Sequence, residues 1–466
     1  MTTKITFMGA GSTIFAKNIL GDCMLSEALR ESHFALYDID RDRLQESMQM
    51  LDNLNGHING GRARITAHLG EPSRREALEG ADFVVNAIQV GGYEPATVTD
   101  FEIPKRFGLR QTIADTLGIG GIFRALRTIP VVLEFSKDME GVCPDALFLN
   151  YVNPMCMVSA ALQRAASIET VGLCHSVPGC AEGLLRAVGM ERTEHLQWRI
   201  AGINHQAWLL EITDAGTDLY PEIKSRAAER LPAFRRKGAF AIKEELRKHH
   251  PDDYSRHPDY LFAGDMVRME LMLRFGYYVT ESSEHNAEYY PWFIKNNHPK
   301  LIDEYGIPLD EYLRRCVDQI EGWGRCRDEM LENPCLEHTR SIEYGSRIME
   351  AVITDQPYRF HGNVMNTGLI PNLPSLANVE VPCLADRNGI QPCFAGNIPE
   401  ACAALNRTNI NSQILTVEAA LTGKREHIYQ AALLDPHTGA ELTIDETVSL
   451  CDALIEAHGP LLPAFR

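Results

Sequence analysis

The chain has 466 residues, 45% hydrophobic and 23% charged, with a formal net charge of −18. That length exceeds one ordinary core and implies two closely packed domains of a soluble globule. The excess of acid excludes nucleic acid and anionic membrane as partners, and no apolar stretch is long enough to span a bilayer.

The first element is a buried parallel strand, Ile5–Met8, running into Gly9-Ala10-Gly11-Ser12 and a helix from Ser12. This is the pattern of a dinucleotide site. Gly9 allows a sharp turn, Gly11 lets the backbone approach a pyrophosphate, and the helix opening near Ser12 points free N–H groups at the phosphates. The third glycine of the usual fingerprint is absent. A second apolar run, His33–Tyr37, ends in Asp38, an acid able to accept from both ribose hydroxyls, which favours NAD over NADP.

Further along come a helix from Asp40, a strand Phe83–Ile88, a helix Ile122–Met139, and strands Ala146–Val152 and Thr170–Cys174. The alternation predicts a doubly wound, Rossmann-like parallel sheet over 1–197. Ligands in such sheets gather beyond the carboxyl ends of the strands, which directs attention to Asp38, Gln89 to Glu94, Asn153-Pro154 and Cys174-His175. The texture changes at Trp198, and 198–466 reads as an α+β second domain. Its predicted elements are a strand pair about Trp208–Ile212, a charged helix Pro221–His249, helices near Asp310–Met330 and Arg340–Ile353, a strand Val379–Leu384, and helices Asn409–Leu421 and Arg425–Leu434. With no flexible linker between them, the two parts are expected to hold the ligand at their interface.

Four places carry residues suited to chemistry. Cys174 and His205 offer a thiolate and an imidazole for a divalent metal, zinc on ligand softness alone, though their spacing has no signature and buried Cys and His are usually core. Asn153-Pro154 matches the strand-end Asn-Pro of lactate and malate dehydrogenases, or is a helix cap with Pro in the first turn. Gly118-Ile119-Gly120-Gly121 reads as a second glycine loop before a helix, with Asp115 at its lip. Thr280-Glu281-Ser282-Ser283-Glu284-His285, flanked by tyrosine pairs, suits a hydroxyl-rich ligand or a solvated loop. The twelve cysteines are scattered singly, as in a protein of the reduced cytoplasm.

Together these segments resemble the family 4 glycoside hydrolases over essentially the whole chain. The carriers are Lys4–Ser12, Gly91-Gly92-Tyr93-Glu94, Asp115-Thr116-Leu117-Gly118, Asn150–Met155, Gly172-Leu173-Cys174-His175, Ala201–His205 and Asp386–Pro392. They are most similar to those of the family's melibiose-hydrolysing α-galactosidases. The resemblance implies a lactate/malate-dehydrogenase-like domain with NAD on Gly9, Gly11, Ser12 and Asp38, and manganese rather than zinc on Cys174 and His205. It implies sugar contacts from Asn153 and Glu94, His175 as proton donor to the leaving group, and Asp115 as a cleft acid supporting the base. Glu281 is the expected base, with a neighbouring tyrosine as the alternative. A small glycoside substrate and a homodimer or homotetramer are also implied.

Family 4 stands outside the two-carboxylate scheme of most glycosidases. The implied route is transient oxidation of sugar C3 by NAD, which acidifies the C2 proton. Metal-assisted deprotonation, elimination of the C1 substituent, water addition and return of the hydride follow. Two alternatives stand beside it. One is an α-galacturonidase or α-glucuronidase, for which Arg268, Arg274 or Lys295 would meet the sugar carboxylate. The other is an NAD dehydrogenase of the lactate/malate type.

Overall fold

Residues 2–466 are described by a computed structural model. Among them, thirteen strands join in one mixed sheet. Strands β1 (Lys4–Met8), β2 (His33–Asp38), β3 (Arg64–Leu69), β4 (Phe83–Asn86), β5 (Leu147–Asn150) and β6 (Thr170–Gly172) are parallel, in the order β3-β2-β1-β4-β5-β6. This is the doubly wound dinucleotide-binding order. In β1, Ile5, Phe7 and Met8 are fully buried, as expected where helices cover both faces of a parallel sheet.

The sheet continues without a break into the second half. Strand β11 (Tyr358–Met365) lies antiparallel on β6 through the pair Asn363 and Gly172, then β12 (Asn378–Asp386) on β11. Strand β7 (Leu196–Ile203) meets β12 through Glu380 and Gly202, followed by β8 (Gln206–Asp214) and β10 (Tyr278–Val279). The short strands β9 (Thr217–Asp218) and β13 (Gly389–Pro392) flank β8 and β12. A hydrophobic core runs through both halves, from Phe7 and Phe34 to Trp208, Tyr278 and Val379.

Local departures from the sequence reading have identifiable causes. The charged stretch expected as one helix is two, Tyr220–Lys237 and Ala239–His249, broken at Gly238 with φ +83°. The Gly118–Gly121 segment is the first turn of the helix Gly118–Val142, not a loop ahead of it. A Cβ on Gly120 would lie 2.6 Å from Ala114, and one on Gly121 would lie 2.6 Å from Thr116, so these glycines let the segment bearing Asp115 pack onto the helix. Strands β3 and β11 and the helix Ile444–His458, which opens with a Thr443/Glu446 capping box, were not foreseen. No helix among the described residues is long and apolar enough to cross a membrane.

Candidate active site

The topology brings three strand ends to one edge of the sheet. Cys174 lies two residues past β6, His205 occupies the Asn204-His205 turn between β7 and β8, and Glu281 lies two residues past β10. Single ligand atoms of Cys174, His205 and Glu281 all fall within 4.8 Å of one another, the only such cluster among the described residues. His205 and Glu281 adopt left-handed backbone, at φ +64° and +65°, which non-glycine residues seldom do; such strain concentrates at functional sites.

Each member is held from behind. His205 Nδ1 lies 3.0 Å from the Tyr289 hydroxyl, which leaves Nε2 facing Glu281 Oε2 at 3.6 Å. Such a second partner fixes the ring and its free nitrogen. The Cys174 main chain is tied to the Tyr344 hydroxyl. The other Glu281 oxygen, Oε1, accepts from the Ser282 N–H at 3.0 Å and lies 3.3 Å from His285 Nδ1. Burial would raise the Glu281 carboxyl, but His205 and His285 hold it down at about 2. Against its burial, His205 is pushed up to about 10, by Glu281 first and then by Cys174. A thiolate, an imidazole and a carboxylate at this separation fit one divalent first-row cation, and the oxygen donor favours manganese more than the sulfur–nitrogen pair alone would.

Asp115 stands beside this triad. Its Oδ1 accepts from the Thr116 hydroxyl at 2.8 Å and lies 3.5 Å from His285 Nε2, while Oδ2 meets the Asn153 amide nitrogen at 3.5 Å. Burial opposes ionisation of Asp115, yet His285, Arg124 and His205 keep its carboxyl far below the ordinary range. The same partners act in reverse on His285: burial lowers it, Glu281 and Asp115 raise it, and the net shift is upward. Asn153 is not a cap. The next helix begins at Met155 with no side-chain cap bond, and the buried Asn153 Oδ1 has no protein partner. Arg124 Nε donates to the Asn153 carbonyl at 3.3 Å and its guanidinium lies over Tyr312.

His175 is 46% exposed in its side chain, with Nε2 2.7 Å from Glu343, and that hydrogen bond raises its pKa. Glu94 is exposed on the irregular turn Gly92–Thr97. The three cations considered for a sugar carboxylate are already engaged: Arg268 with Asp265, Arg274 with Glu270 and Lys295 with Glu441.

The nucleotide-type turn lies at the carboxyl ends of β1 and β2. Gly9 has φ +86°, and a Cβ there would sit 2.8 Å from the Ala87 carbonyl. A Cβ on Gly11 would meet Asp38 Oδ2 at 2.8 Å, the oxygen that accepts from the Gly11 N–H at 2.6 Å. Ser12 makes no side-chain cap bond to the helix Thr13–Met24, so its first-turn N–H groups face the turn. A close-packed backbone cradle at a helix N-terminus, with an acid at the adjacent strand end, fits a dinucleotide.

Sequence reasoning gave Arg124 and His285 no role, marked Tyr289 only as one of the tyrosines flanking Thr280–His285, and missed Glu343 and Tyr344. Their contacts join segments far apart in sequence, such as Cys174 to Tyr344 across 170 positions, and no local motif marks them.

Residues 4–190 fit the profile described as Family 4 glycosyl hydrolase, and residues 200–438 that of the Family 4 glycosyl hydrolase C-terminal domain. The chain is 59% identical to an alpha-galactosidase of Bacillus subtilis (strain 168) over 463 residues, covering 99% of this chain and 100% of that protein. It is 34% identical to an alpha-galactosidase of Rhizobium meliloti (strain 1021), covering 99% and 89% of the two chains. The fold is similar to a crystal structure of a 6-phospho-alpha-glucosidase from gut microorganisms in complex with NAD and Mn2+, at 21% identity and TM-score 0.73, covering 100% of both chains.

Proposed function

The chain belongs to family 4 of the glycosyl hydrolases, and from that premise we propose that it hydrolyses α-galactosides of the melibiose type, using NAD and Mn2+. The observation that carries this reading is the Cys174–His205–Glu281 cluster placed against Asp115, His285 and Asn153. The α-galactosidase relative at 59% identity supports the sugar. Gly9, Gly11, Ser12 and Asp38 would hold the dinucleotide, and Cys174, His205 and Glu281 the metal. When bound, these groups would supply a hydride acceptor for sugar C3 and a Lewis acid for the neighbouring oxygens.

The protein's own residues do the rest. Asn153 Oδ1, buried with no protein partner, accepts from a sugar hydroxyl and orients the ring. Glu281 clusters with Cys174 and His205 and turns one oxygen to His205 Nε2, which suits a metal ligand. The His285–Asp115 pair then moves the C2 proton, with Asp115 orienting the imidazole. His175, exposed and with its pKa raised by the hydrogen bond to Glu343, is the group assigned to give a proton to the leaving oxygen. Water enters at C1 by the reverse of these steps. A neutral sugar is favoured over a uronide because Arg268, Arg274 and Lys295 are each spent on an internal carboxylate.

The test is a panel of 4-nitrophenyl glycosides with NAD, Mn2+ and a thiol reductant. Release from the α-galactoside with no build-up of reduced nicotinamide is expected. Accumulating reduced nicotinamide would mark a dehydrogenase, and cleavage of only the α-galacturonide would mark a uronidase.

A further inference from the structure

We propose that Glu288, a buried carboxylate with no part in the chemistry above, is the positioning residue that sets Asp115. The inference rests on the reading of Asp115 as the acid that orients His285.

Three successive main-chain N–H groups converge on the Glu288 carboxylate. Thr112 and Ile113 donate to Oε2 at 2.8 and 3.2 Å, and Ala114 donates to Oε1 at 2.8 Å. Consecutive N–H groups turned to one side form a concavity that binds anions, and here the anion is the chain's own side chain. The third donor, Ala114, lies at φ +54°, a conformation that an alanine adopts only when its surroundings impose it. Asp115 is the next residue. With Glu288 2% exposed and Thr112, Ile113 and Ala114 no more than 3% exposed, water does not reach these donors. Without the carboxylate, three buried N–H groups lose their acceptor and the turn has no reason to keep its strained form.

Glu288 also closes the short helix Ser283–Glu288, which carries His285. The helix grips the Asp115 segment a second time, through the Glu284 carbonyl, which accepts from the Thr112 hydroxyl at 2.8 Å. The acid and the imidazole that must meet at 3.5 Å are thus delivered by two segments riveted together through Glu288. Burial raises the Glu288 carboxyl to about 7 even though the Thr112 and Ala114 N–H groups draw it down, and once ionised it is a better acceptor here than an amide. Gln would offer one oxygen to donors that occupy both carboxylate oxygens, and its NH2 would confront an N–H.

The experiment compares Glu288→Gln, Glu288→Asp and Asp115→Asn in the holoenzyme with NAD and Mn2+ bound, using 4-nitrophenyl α-galactoside. Glu288→Gln is expected to lower kcat at least tenfold, with KM and the NAD and Mn2+ dissociation constants within threefold of wild type. Glu288→Asp, which keeps two carboxyl oxygens on a shorter stem, should recover at least threefold of that loss. A Glu288→Gln enzyme with wild-type kcat and only a lowered Tm would reduce the residue to a structural role and overturn the inference. Equal kcat for the Asp and Gln variants would overturn it as well. If Glu288→Gln does not fold, kcat of Glu288→Asp decides: a fall with unchanged KM supports the inference, and wild-type kcat overturns it. A wild-type kcat in Asp115→Asn would remove the reading of Asp115 and the inference with it. An impaired Asp115→Asn beside an unimpaired Glu288→Gln would remove the inference alone.

Discussion

The Tyr344 hydroxyl brackets the main chain of Cys174, accepting from its N–H at 2.8 Å and donating to its carbonyl at 2.9 Å. One phenol thereby fixes the peptide that aims the thiol, and Tyr344 is itself 4% exposed, packed near Phe360. Tyr344→Phe keeps the ring and removes both bonds. Loss of such outer support lowers metal affinity roughly 10- to 100-fold, and the same range is expected here with NAD affinity unchanged. A Mn2+ titration followed by electron paramagnetic resonance reads it; unchanged Mn2+ affinity would show that the clamp does not aim the thiol.

Cys174→Ser replaces the soft donor with a hydroxyl that does not ionise near neutral pH. Metal binding and hydrolysis should both be lost while NAD remains bound, because the turn Gly9–Ser12 lies at other strand ends. Equilibrium dialysis with each ligand separates the cases, and joint loss of NAD and metal would make the cysteine structural. Chelation of the wild-type enzyme should likewise abolish hydrolysis and leave NAD binding intact.

A buried polar network joins the helix Ile444–His458 to Asp100 and Arg127. Arg127 and Asp100 pair at 2.6 Å, His458 lies 2.8 Å from the same carboxylate, and Arg127 Nε donates to the Val90 carbonyl at 3.1 Å. Removing one partner of a buried pair leaves an uncompensated charge, a loss of about 3–5 kcal/mol. Arg127→Met should lose stability in that range in denaturant titrations, and a loss below about 1 kcal/mol would show that the Arg127–Asp100 pair is not what holds this region.

His361 sets a pH dependence of stability. Burial lowers its pKa to about 4, and its Nε2 lies 3.2 Å from the Ile200 carbonyl. The unfolded imidazole takes up its proton near 6.5 and the folded one only near 4. Between those values the unfolded state binds more protons, so stability falls as pH drops through that window and levels off below it. His361→Gln keeps a donor for Ile200 and should flatten the acid limb of a Tm-against-pH curve; an unchanged limb would assign it to other groups.

The parallel strands β1, β2, β4, β5 and β6 were legible because each is a short apolar run, and buried parallel strands leave that trace; the half-exposed edge strand β3 leaves none. Cys174 and Asn153 were legible as strand-end residues, Asp115 as the lip of a glycine-rich segment, and His205 as the opening of the second domain. Their convergence with His285 was not, because β7, β8 and β10 reach the cleft only by joining the sheet through β11 and β12, and the contacts at those junctions are single residue pairs. Glu281 shows the same limit: the sequence marks an acid among hydroxyls, and only its left-handed backbone beside His205 places it with the metal-type ligands.

The central claim is that a proton leaves sugar C2 at this site. Turnover of an α-galactoside in D2O with NAD and Mn2+, followed by NMR or mass analysis of the released sugar, tests it directly. Deuterium at C2 is the predicted result; full retention of protium there would contradict the elimination route and the roles assigned to His285 and Asp115.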